Sequence, residues 1–148
     1  MTAPRSQRGS SLPETAIVMA VLLALLLGII DFGRMIYTYA FVAQLARQGA
    51  RWAIVRGADC TLLTDCPNVT QAQVQSYVQS LATGATKASN IQVQAKWPTC
   101  PPGSTGEEQG CTVEVIVTYP FAFMLPWMPS GSLGTISMSS TSEMVILQ

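Results

Sequence analysis

The chain has 148 residues, eight Lys+Arg against eight Asp+Glu, no His and a formal net charge of zero. That length holds about one domain, and a neutral chain has no basic excess to displace counterions from phosphates, so nucleic acid is not an expected partner. The commonest general base and metal ligand is missing, and charged residues are 11% of the chain against roughly 25% in ordinary soluble domains, which disfavours hydrolytic and metal-dependent chemistry.

Arg5 and Arg8 precede a stretch with no charge, no Pro and no polar side chain: Ala16 to Ile30 reads AIVMAVLLALLLGII. A buried core helix would show polar residues on a solvent face, and this run shows none, so it reads as a membrane segment. As a helix it spans roughly 22 Å, short of the roughly 30 Å hydrocarbon core. Extension through Phe32 and Gly33, with Arg34 snorkelling outward, narrows the mismatch and leaves Asp31 near the interface. A secretory signal peptide would place a small-x-small cleavage site after the run. Ile29-Ile30-Asp31-Phe32-Gly33-Arg34 offers none, and Glu14 lies directly against the run. A cleavage signal before the run fits better: Arg8-Gly9 is followed by Ser10, and Glu14 stands five residues after the Gly.

Past the run, Ile36, Ala40, Ala43, Ala50 and Ile54 recur at helical spacings, so a single helix is expected from Glu14 to about Val55, on the order of 60 Å long. Its first part would lie in lipid and its second would project as an amphipathic stem. Ala40, Ala43, Ala46, Gly49, Ala50 and Ala53 would let another helix or a sheet approach closely. Arg47, Arg51 and Arg56 read as a solvated face.

The segments Arg8-Gly9, Glu14, the run to Ile30, Asp31-Phe32-Gly33-Arg34-Met35 and Ala46-Arg47-Gln48-Gly49-Ala50-Arg51 together resemble the TadE-like proteins of the tight-adherence (Flp) pilus system. The layout is also similar to type IV prepilins and pseudopilins. The resemblance implies that a prepilin peptidase cuts after Gly9, that Ser10 becomes the new N-terminus, and that Glu14 is retained as the fifth mature residue. It implies a pilin-like fold, with other pilin-like subunits and a pilus assembly platform as partners. Pro13 and Thr15 flank Glu14 where pilins usually place apolar or aromatic residues. A carboxylate at the edge of hydrocarbon is costly unless paired, and the freed amine of a neighbouring subunit could pair Glu14. The plainer account is an acid in the first turn of a helix, complementing its dipole, with Pro13 near the helix start.

Four cysteines follow. Cys60 and Cys66 bracket one short loop, and Cys100 and Cys111 bracket a second containing Pro101, Pro102, Gly103, Gly106 and Gly110. Two disulfides are expected, most simply 60 with 66 and 100 with 111, although four Cys allow three connectivities. Zinc is a poorer fit, because the spacings are not the usual ones and no His is available. Oxidised pairs place this part of the chain outside the cytoplasm. The charges flanking the run give only weak guidance on orientation. The N-terminus is then inside a bacterial inner membrane and the C-terminal domain outside, in a single-pass arrangement.

That outer part reads as α+β. Thr70-Gln71-Ala72-Gln73 has the form of a capping box, and Val74, Tyr77, Val78 and Leu81 follow at helical spacing until Gly84. Ile91, Val93, Ala95 and Trp97 alternate with polar residues, as do Val113, Val115, Val117 and Tyr119, giving two half-buried strands. A third fits Thr135 to Leu147, with Ile136, Met138, Met144 and Ile146 on one face. These three would form a small antiparallel sheet laid on the stem. The resulting organisation is a leader over 1–9, a membrane helix over 10–34, a stem over 35–57 and an extracytoplasmic α+β domain over 58–148.

Between the last two strands, Phe121 to Pro129 (FAFMLPWMP) is too apolar for a solvated connection. It either folds on the core, rests on the membrane, or contacts a neighbouring subunit or the assembly platform. Asn68-Val69-Thr70 matches the glycosylation sequon, but Thr70 already has a capping role. No nucleotide-binding Gly motif occurs, and Ser or Cys nucleophiles lack a His to activate them. The chain reads as a non-enzymatic structural protein with no metal, cofactor or small-molecule substrate. It is either a minor pilin-like subunit for pilus assembly and surface attachment or an uncleaved single-pass scaffold of the pilus secretion machinery.

Overall fold

A computed structural model describes residues 11–57, 69–82, 87–103, 108–124 and 135–146. Helix α1 runs Ser11–Ile54, 44 residues without interruption, which is about 65 Å. Residues 1–9, expected to be a leader, and Cys60, Cys66 and Gly84 lie outside the described residues. After α1 come α2 (Gln71–Ser80), a single 3-10 turn (Ala88–Asn90) and strands β1 (Gln92–Thr99), β2 (Thr112–Ala122) and β3 (Thr135–Val145). The arrangement is α+β, with a three-stranded sheet in the order β1-β2-β3 and antiparallel at both junctions.

The alternation in sequence becomes the two faces of the sheet. Val113, Val115, Val117, Tyr119 and Phe121 of β2 are buried. They stand in register with Val93 and Ala95 on one side and with Ser140, Ser142 and Met144 on the other. On the opposite face Lys96 pairs with Glu114 and Glu114 with Glu143, so a polar row crosses the sheet where water can solvate it. Pro98 sits in β1, an edge strand, beside an irregularity in register between Lys96 and Thr99. There its missing N–H removes no bond from a central ladder.

One face of the second half of α1 covers this sheet. Val42, Leu45, Ala46, Ala50 and Ala53 are buried, a stripe spaced three and four residues apart. Gly49 lies at its centre: a Cβ there would stand 2.8 Å from Val78 Cγ2 and 3.2 Å from Val115 Cγ1. The small residues of the stem therefore serve the chain's own packing, admitting α2 and the sheet close to the helix backbone. Ala40 remains exposed and Ala43 half-buried.

Helix and strand run antiparallel along nearly the same line. Asp31 meets the backbone of Met124, while Gly49 meets Val115. The helix rises about 27 Å between those two residues, and the strand covers about 30 Å between its two. The sheet thus has one end level with residue 31 and another level with the C-terminal end of α1.

The capping box forms as its sequence indicates. Thr70 accepts from the Gln73 backbone, and the Gln73 side chain accepts from the Thr70 backbone N–H. Val74 and Val78 are buried, and Gln79 Nε2 donates to Ile91 O at 3.2 Å, tying α2 to the start of β1. At the end of the sheet away from residue 31, Cys100 and Cys111 form a disulfide. Gly110, at φ +89°, turns the chain so that its N–H reaches Ile146 O, and Ile146 N–H returns to Cys111 O.

Candidate functional site

The first half of α1 faces outward all round. Its residues from Leu12 to Ile30 are exposed or partly exposed, with Ile17 at 67%, Leu25 at 61% and Ile29 at 68%. The helix is long and apolar enough to cross a membrane. A soluble fold would bury such side chains, since each carries roughly 1.5–3 kcal/mol of burial free energy; here protein covers only the half that follows. Glu14 lies exposed in the first turn. Pro13, one residue before it, also lies within that turn, where a missing N–H costs no intrahelical bond. Gly9 and Ser10 lie outside the described residues.

Where outward-facing helix gives way to covered helix, a charged group is buried. Asp31 is 3% exposed. Its Oδ1 accepts from Arg34 Nη1 at 2.8 Å, and its Oδ2 accepts from the Met124 backbone N–H at 2.9 Å. Both oxygens are satisfied, which is what a buried carboxylate requires. One turn on, buried Thr38 donates to Arg34 O at 2.8 Å.

The surroundings of this pair are the structure's addition. Asp31 is enclosed by protein, and Arg34, its side chain 37% exposed, is not extended freely. It folds back onto Asp31, with its guanidinium carbon 5.4 Å from the Phe121 ring centroid. The physical reason is the strand end beside it: Met124 offers a backbone donor that would otherwise be unpaired. Phe121 and Ala122 complete β2 rather than opening a loop. Of the apolar connection, residues 125–129 lie outside the described residues. Its flanking residues Met124 and Thr135 both stand at the end of the sheet level with Asp31.

The three arginines of the stem divide. Arg47 and Arg51 are exposed as expected, but Arg56 is part-buried, stacked 4.2 Å over the Trp52 ring with Nη1 donating to Trp52 O at 3.3 Å. Trp52 in turn stacks on Tyr77 of α2 at 5.0 Å. An Arg four residues after a Trp on a helix was the signal for this contact. Among the described residues no cluster of three His, Cys, Asp or Glu could hold a metal. Cys100 and Cys111, bonded to each other, brace the far end of the sheet.

The arrangement is an outward-facing apolar helix half that continues into a small braced domain, with the buried Asp31 carboxylate holding the end of β2 against the helix. The family model described as TadE-like protein matches residues 9–51. The match takes in Gly9, Glu14, the apolar run and most of the stem, and stops before the sheet. It agrees with the resemblance carried by the motifs of this same stretch. No curated protein and no solved structure matches.

Proposed function

We propose that this chain is a single-pass membrane protein of a tight-adherence pilus system, acting there as a minor pilin-like subunit in pilus assembly and surface attachment. The observation that carries the reading is the division of α1 into an outward-facing apolar half and a sheet-covered half, within the stretch that matches the TadE-like family. The apolar half anchors the chain in the inner membrane, and on release it is the surface that packs against the same helix of neighbouring subunits. The braced domain stands outside, where its disulfide is stable.

In this reading a prepilin peptidase cuts between Gly9 and Ser10, and the new α-amine pairs with Glu14 of an adjacent subunit. The exposed Glu14 in the first described turn of α1 supports it, since no group of the chain's own pairs with that carboxylate among the described residues. Pro13 beside Glu14 favours a second reading, in which the chain stays uncleaved in the membrane as a scaffold contacting the assembly platform. The test is the intact mass of the protein from its own host, with N-terminal peptide mapping, in both membranes and sheared surface filaments. A chain beginning at Ser10 and present in filaments is the expected result. A chain that retains Met1 or begins at Thr2, confined to membranes, refutes the cleaved-subunit reading in favour of the scaffold.

A further inference from the structure

One cavity of the domain has no part in the packing described above. A groove of about 480 Å³ opens at the end of the sheet level with Asp31, with Arg34 and Tyr37 of α1 on one wall, Tyr119 and Phe121 of β2 on the other, and Lys87 with Asn90 closing it. Resting on the membrane reading of α1, we propose that this groove binds the phosphodiester headgroup of an anionic phospholipid.

Position is the first argument. From Leu12 to Ile30 the helix rises about 27 Å, close to the roughly 30 Å of the hydrocarbon core. Arg34 then stands about 5–6 Å farther on, within the headgroup layer of a bilayer about 40–45 Å thick overall. Tyr37 and Tyr39, the residue type enriched at membrane interfaces, stand at this level and are more than half exposed.

Charge is the second. Arg34 spends Nη1 on Asp31, and its other N–H donors have no acceptor among the described residues, although its side chain is 37% exposed. Lys87 is exposed and its ammonium has no ion-pair partner among the described residues. With Asp31 neutralising one cation, the groove retains about one positive charge, matched to one phosphodiester. No carboxylate stands among the residues that line it, Asp31 included, so it offers no anionic group to receive an amine. The groove therefore favours an anionic headgroup such as phosphatidylglycerol over the zwitterionic phosphatidylethanolamine. Space is the third argument: Gly33 borders the groove, and nothing lies within 4 Å of where its Cβ would be, so the helix surface leaves room for a glycerol backbone.

The test reconstitutes the full chain into vesicles of equal phosphatidylglycerol and phosphatidylethanolamine, confirms insertion by resistance to alkaline carbonate, and then measures retained lipid by native mass spectrometry after mild detergent extraction. Phosphatidylglycerol is expected to be retained over phosphatidylethanolamine. Lys87→Gln should reduce that preference about fivefold, the effect of one basic residue near a membrane surface, while Lys96→Gln on the solvent face of the sheet leaves it unchanged. Lys87 is the residue to change, because removing Arg34 would leave Asp31 buried without its cation. Equal retention of the two lipids, or a preference insensitive to Lys87→Gln, overturns the headgroup site while leaving the membrane anchor standing. Delipidated protein that binds inorganic phosphate as tightly as the lipid also overturns it, in favour of a free-anion site. Release by carbonate overturns both readings.

Discussion

Gly49→Ala adds a single methyl group at the tightest point of the molecule. The new Cβ would lie 2.8 Å from Val78 Cγ2 and 3.2 Å from Val115 Cγ1, well inside the normal carbon–carbon separation of about 3.5–4.0 Å. Neither neighbour yields easily. Val78 is in helix α2, where a β-branched side chain has one strongly preferred rotamer, and Val115 is held in the central strand with both ladders formed. Overpacking of this kind costs about 1–3 kcal/mol, and replacing a helical Gly by Ala returns about 1 kcal/mol of helix propensity. The net expectation is a loss of about 1 kcal/mol, or about 4–8 °C in Tm for a domain of this size. Gly33→Ala supplies the control on the same helix, since nothing lies within 4 Å of its Cβ position; it gains the propensity without the clash and should unfold at the same temperature or higher. The assay is thermal unfolding of the full chain in detergent micelles, followed by near-ultraviolet circular dichroism of the stacked Trp52 and Tyr77. If Gly49→Ala and Gly33→Ala shift Tm together, α1 does not approach the sheet and α2 as closely as described.

Two further outcomes follow from the two ends of the domain. Asp31→Ala deprives both the Met124 N–H and Arg34 of their acceptor and should cost about 2 kcal/mol, with faster hydrogen exchange at the Met124 amide. Glu143→Ala, on the exposed face, should stay within about 0.5 kcal/mol of wild type; an unchanged Asp31→Ala variant would show that the buried pair does not fasten the strand end to the helix. The double change Cys100→Ser with Cys111→Ser opens a loop closed over a sequence separation of 11 and should cost about 3 kcal/mol, read from denaturant unfolding of the full chain in micelles. A loss on adding reductant that is larger in wild type than in the double variant, which keeps Cys60 and Cys66, assigns the difference to this bond.

What the sequence showed depended on how far apart the interacting residues are. The capping box was legible because Thr70 and Gln73 are three residues apart, and the strands because alternation is a local property. Sheet packing on the stem could be anticipated from the apolar faces. The small residues around Gly49 could not by themselves say whether a neighbouring chain or the chain's own sheet lies against them, since both demand the same absence of side chain. Asp31 was harder still. Its partner is the backbone of Met124, 93 residues away in sequence, and a backbone N–H leaves no mark on residue identity. The acid at the end of the apolar run therefore gave no sign in sequence that the end of β2 lies against it.

The near-collinear arrangement of α1 and the strands also has a mechanical meaning. In the proposed reading, tension between the anchored half of α1 and the disulfide-braced tip runs along the seam between helix and sheet. That seam is then loaded in shear along its length, rather than peeled from one end, because β1 and β2 are joined at the tip and move together. The Asp31–Arg34–Met124 junction sits at the near end of this load path, and Cys100–Cys111 closes its far end. A domain built this way would transmit pull to the apolar half of α1 as a stiff strut.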